Sequence, residues 1–161
     1  MSTTGISGIS PSTNQILSDL LTTPYDIRQG LEEQLDESKR YDFFTAAGLN
    51  YITAVGLLIE DGEASGYPPC TLRTVAAAVS LMDPAQLLPH IAGNSSARAV
   101  VAPLVYSFQS GAAGATEQLN GIVREARELV SPLLTGCELE AQQQVAQHIT
   151  AMLNATSLAT K

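Results

Sequence analysis

Imidazoles, thiols and clustered carboxylates are the groups in this sequence able to hold a metal or move a proton, and they are sparse. There are two histidines, His90 and His148, two cysteines, Cys70 and Cys137, and a short acidic run at Glu60, Asp61 and Glu63. Neither histidine stands in H-E-x-x-H, and the Glu-x-x-His pairs that build di-iron sites in helical bundles do not occur. His90 follows Pro89 in a short apolar stretch and His148 follows Gln147 near the C-terminus, so both read as structural or surface imidazoles. The cysteines show no metal or redox spacing and are too few for a disulfide framework. Two buried thiols is the expectation, with one long-range disulfide as the alternative.

A nucleophilic pair such as Cys70 with His90 would have to be assembled in space, and nothing local points to one. The acids around Gly62 lack the alternating oxygen ligands of a calcium loop and read as a helix end running into a solvated turn. No G-x-G-x-x-G, P-loop or G-x-S-x-G is present, and the small-residue turn at residues 111–114 has no strand before it. The expectation is a non-enzymatic protein with no cofactor and no metal.

The elements that would position any site are helices. Thr23, Pro24 and Asp26 supply a capping hydroxyl, a proline at the first helical position and an acid at the third. Apolar residues then recur at spacings of three and four, predicting one helix over residues 24–60 with a bend near Gly48. Its first half carries Glu32, Glu33, Asp36 and Glu37 and must face water. Residues 43–59 carry no charge, as expected of a central helix surrounded by others.

A short amphipathic helix is expected at residues 12–22, with Ile16, Leu17, Leu20 and Leu21 on one face. Leu72, Val75, Val79 and Met82 form a stripe flanked by Ala76, Ala77 and Ala78, which permit close helix approach. Asp83-Pro84 opens a further helix, Asn94, Ser95 or Ser96 caps the one after it, Pro103 kinks that helix or marks its start, and Thr116 is expected to cap the next. Leu139, Gln142, Ala146, Ile149 and Leu153 mark the inner face of the last. No segment alternates with a period of two. The predicted fold is all-α: an Ala-rich bundle of about five to seven helices, a single domain over residues 12–161 with one long central helix and a flexible N-terminal arm at 1–11.

The charge pattern bears on partners. The chain has 161 residues, eight Lys plus Arg and sixteen Asp plus Glu, a net charge of −8, which disfavours nucleic acid and anionic membranes. Nine of the acids fall within residues 26–63, whereas residues 64–115 hold only Arg73, Asp83 and Arg98. A stretch so poor in charge is either core or a surface covered by another subunit. On the second reading its contact residues are Leu72, Arg73, Val75, Val79, Arg98, Val101, Leu104 and Phe108. At least one of Arg73 and Arg98 is expected to meet an acid from another helix or another chain, and the two offer the sole route to phosphate.

Two function classes follow from these features. The first is a self-assembling structural subunit, of which a virion coat or capsid-associated protein is the most specific form. The second is an adaptor whose acidic face, Glu32, Glu33, Asp36 and Glu37, docks a basic protein partner. Synthesis in the cytoplasm without membrane attachment is expected, because the N-terminal sequence has neither the basic nor the apolar region of a signal peptide.

Overall fold

The computed structural model describes residues 23–159 apart from 41, 112 and 135–137. The expected arm, the expected helix at 12–22 and Cys137 lie outside these. The described residues form an all-α bundle of nine helices, more than the five to seven expected, with no strand among them. In chain order they are α1 (Pro24–Glu32), α2 (Glu37–Arg40), α3 (Phe43–Gly62), α4 (Leu72–Leu81), α5 (Pro84–Ala92), α6 (Ser95–Val100), α7 (Ala102–Gln109), α8 (Ala115–Val130) and α9 (Leu139–Ala159).

The helix expected over residues 24–60 is three helices. Thr23 Oγ1 accepts the Asp26 N–H at 3.2 Å and starts α1, which stops at Glu32. Continuing it would stack Glu32 on Asp36 and Glu33 on Glu37 one turn apart, like-charge pairs that weaken a helix. Asp42 then offers a better start: its backbone is extended, and Oδ2 accepts the Thr45 N–H at 2.9 Å and the Thr45 hydroxyl at 3.1 Å. The break lets α1 fold back along α3 while the acidic residues stay in water.

The helix α3 is continuous through Gly48. A Cβ there would stand 3.2 Å from the backbone nitrogen of Ala126, so the missing side chain is what lets α8 cross closely. Gly56 likewise admits Pro24 of α1, and the ring of Tyr67 lies on Gly62. With α1, α2, α4, α5, α6 and α8 packed around it, α3 is buried almost continuously from Gly48 to Ile59. By length and composition α3 would cross a membrane; here most of it is enclosed by its own chain.

The second half is built from local starts. Thr71 caps α4, Asp83 caps α5 with Pro84 following it, and Asn94 Oδ1 accepts the Ala97 N–H at 3.0 Å to cap α6. Pro103 sits in the first turn of α7 and marks a beginning rather than a kink. Gly114, with φ of 79°, precedes α8, so Thr116 is not the cap. In α9, Ala146, Ile149 and Leu153 are buried against α4, but Leu139 is 58% exposed, contrary to the inner face assigned to it.

Much of the charge-poor middle third packs inside the chain. Leu72, Val75, Val79, Val101 and Leu104 are buried within the chain, together with Ala76, Ala77 and Ala78. Alanines at these positions let α4 lie close to α3, α8 and α9 at once, which removes its apolar face from solvent without a second subunit. Arg127 of α8 closes the end of α4, its Nε donating to the Val79 carbonyl at 3.0 Å and Nη2 to that of Met82 at 3.1 Å. These carbonyls lie where a helix runs out of internal donors.

Two glycines in close contact with rings should respond differently to alanine. At Gly62 the new Cβ would fall 2.5 Å from the Tyr67 ring, which is itself buried, and a loss of about 1–3 kcal/mol is expected from overpacking. At Gly121 it meets the outer edge of the part-exposed Phe44 ring at 2.9 Å. That ring can swing, and the helix-propensity gain of roughly 1 kcal/mol offsets the contact. Urea unfolding of Gly62→Ala and Gly121→Ala checks the order.

The Asp42 cap also gives a pH dependence. Hydrogen bonds from the Thr45 backbone and then its hydroxyl hold the Asp42 carboxyl below its ordinary value. A lowered folded-state value means the contribution is present above the ordinary carboxylate range and is lost as pH falls through the folded value. Asp42→Asn keeps a capping oxygen without the charge, so the melting-temperature advantage of the native protein over this variant should shrink between pH 7 and pH 3.

Candidate functional site

The fold separates the chemically capable residues. Cys70 is buried and free, its Sγ–H donating to the Gly56 carbonyl at 3.6 Å and its backbone N–H to Glu63 Oε2 at 3.0 Å. Burial, with Glu60 and Glu63 adding to it, pushes the thiol up to about 12. A thiol so raised is a poor nucleophile at neutral pH. His90 is half-buried on α5, where desolvation lowers its proton affinity, and His148 Nε2 donates to the Gly66 carbonyl at 2.8 Å, tying α9 to the turn after α3.

The acids near Gly62 are likewise engaged in the fold. Glu63 holds the Cys70 backbone, and Asp61 accepts from Asn94 Nδ2 at 2.7 Å. Among the described residues no group of three or more His, Cys, Asp or Glu could hold a metal ion.

Arg73 and Arg98 are exposed, on α4 and α6. The arginine tied to backbone carbonyls is the part-buried Arg127, whose tertiary contacts have no sequence signature. Beside Arg127 an open cleft of about 840 Å³ includes Asp83, Asn120, Arg124 and Glu128. Its two cations and two anions cancel, with Asp83 engaged in the α5 cap and Arg127 in the end of α4. Behind it, Tyr51 is fully buried with no hydrogen-bond partner for its hydroxyl among the described residues. Desolvation holds the phenol's pKa well above its ordinary value, with Arg127 opposing the shift and Asp83 adding to it.

Glu32, Glu33, Asp36 and Glu37 are all exposed, spread over the end of α1, the turn and the start of α2 rather than along one helix. Arg28 Nε pairs with Glu32 at 3.1 Å, and Lys39 pairs with Glu125 at 3.6 Å.

A different surface stands out, which sequence reasoning reached only in part. Between α3, α6, α7 and α8 runs a groove of about 260 Å³ whose walls include Phe43, Ala47, Val101, Pro103, Leu104 and Ile122. Asn50, Ser107 and Gln118 are its polar members, and no lining residue is charged. Its volume falls below the roughly 300–1,000 Å³ of typical small-molecule sites and suits a few apolar side chains. Phe43, at its mouth, is 57% exposed and meets Phe44 edge to face at 5.1 Å between ring centres. Tyr106, next to Ser107 on α7, is 73% exposed.

Of the contact residues expected from sequence, Val101 and Leu104 line this groove, and Phe108 is half-buried against the core. Leu72, Val75 and Val79 belong to the interior. Phe43 was legible only as part of an apolar helix; that its ring stays outside follows from its place at the first position of α3, beyond the reach of the helices that cover the rest.

Because its thiol is buried and raised, Cys70 should resist iodoacetamide at pH 7 in the native protein and be alkylated once the chain is unfolded, as read by peptide mass mapping. Comparison with protein-family models, with curated proteins and with solved structures finds no match for this chain.

Proposed function

We propose that the chain is a non-enzymatic structural subunit that works by associating with copies of itself, through the surface around the groove. The supporting observation is an uncharged apolar groove with Phe43 exposed at its mouth in edge-to-face contact with Phe44, and with Tyr106 exposed on α7, which forms one wall, on a chain whose net charge is −8. Exposed aromatics at an uncharged patch are characteristic of protein interfaces. For two like-charged copies, such a patch is also where contact removes the least ionic hydration. A repeating layer, such as a virion coat or capsid-associated assembly, is the kind of structure such a subunit would build.

The four exposed carboxylates of α1 and α2 favour a second reading, docking of a basic protein partner. Exposed ion pairs are individually weak, so this reading needs several cations presented together.

Absolute mass by light scattering across a dilution series tests the first reading. The expected result is a multiple of 16.9 kDa that falls toward the monomer on dilution and is lowered at fixed concentration by Tyr106→Asp. A constant 16.9 kDa up to high micromolar concentration would overturn it.

A further inference from the structure

One side chain next to the groove matches it in chemistry and stays outside it. Tyr106 lies three positions after Pro103 on α7, and Pro103 lines the groove, so the phenol is mounted one helical turn from the groove's wall. At 73% it is the most exposed of the large hydrophobic side chains among the described residues. The ring therefore does not enter the groove of its own chain.

The groove has what a tyrosine needs. Its volume of about 260 Å³ is small, and Ala47, Val101 and Leu104 give it apolar walls for a ring. Asn50 also lines it, with Oδ1 accepting from Arg28 Nη1, which leaves Asn50 Nδ2 to donate to an incoming oxygen. A buried tyrosine is favoured where the ring meets apolar surface and the hydroxyl finds a partner.

Charge restricts where a second copy can bring such a ring. Two chains of net charge −8 repel each other, least where neither presents an ion. Residues 99–116 contain no Asp, Glu, Lys or Arg, and on the outer face of α7 Ala102, Pro103, Tyr106 and Gln109 are exposed. Ring and groove thus share one neutral surface. A two-fold axis beside α7 sets each Tyr106 opposite the groove of the other copy, so both contacts form together.

We infer that Tyr106 of each copy inserts into the groove of the other, its ring against Ala47, Val101 and Leu104 and its hydroxyl oxygen accepting from Asn50 Nδ2. This rests on the self-association proposed above and deepens it: it names the occupant of the groove and makes the first assembly step a closed dimer.

The chain has no Trp, so Tyr106→Trp places a lone fluorescent reporter at the contact. Mass and Trp emission read over one dilution series should change together, from 16.9 kDa toward twice that value, with emission moving to shorter wavelength. A rise in mass with unchanged emission would overturn the inference and leave self-association standing, whereas a native chain that stays monomeric overturns both. Complementation checks the pairing. Tyr106→Ala removes the ring and Ala47→Phe fills the groove, and each alone should associate about tenfold more weakly than the native chain. Mixed in equal amounts, they should dimerise where neither does alone, because the intact ring of one meets the intact groove of the other. A mixture no better than its components would overturn the inference. Should Ala47→Phe fail to fold, Tyr106→Ala decides, since its side chain is exposed in the single chain; association equal to the native protein's would overturn the inference.

Discussion

A twenty-residue helix that is apolar on nearly every face sets the terms for the rest of this molecule. α3 must be covered all round, and a chain of this size has few residues with which to do so. The solution is close approach rather than bulk: glycines at 48 and 56 bring α8 and α1 onto the backbone of α3, and Ala76, Ala77 and Ala78 let α4 serve several neighbours. With no Trp and three Phe in the sequence, there is little ring volume for filling wider gaps. That explains the number of short helices. Each of α5, α6 and α7 is a patch over part of a continuous apolar surface, started by its own cap or proline.

The same constraint sorts the polar groups. Asp42, Asp61, Asp83 and Glu63 are each engaged in starting a helix or holding a loop to one. Arg127 is held against two carbonyls at the end of α4, beside a tyrosine whose hydroxyl is sealed in the core. Groups that might have met in an active site are distributed as fastenings. The groove beside Phe43 is where the cover is thinnest. There α3 emerges at its N-terminal end between short helices, and its first aromatic rings remain at the surface.

Under the proposed reading, the uncharged groove beside Phe43 is the surface through which an acidic protein would associate without charge pairing.

Much of the fold was legible in the residues. Helical spacing, the capping residues Thr23, Asp83 and Asn94, and the uncharged run of α3 determine the class and most of the helix starts, because these depend on neighbours in sequence. The break before Asp42 was not legible: it depends on like charges one turn apart and on the advantage of folding α1 back onto α3, which only the packed state supplies. For the same reason a low charge density over residues 64–115 could not by itself distinguish a core from an interface. The tertiary structure decided that Leu72, Val75 and Val79 face inward, that Arg127 rather than Arg73 or Arg98 is tied into the interior, and that Phe43 and Tyr106 stay outside. Burial is a property of what packs against a residue, and the sequence records only the residue.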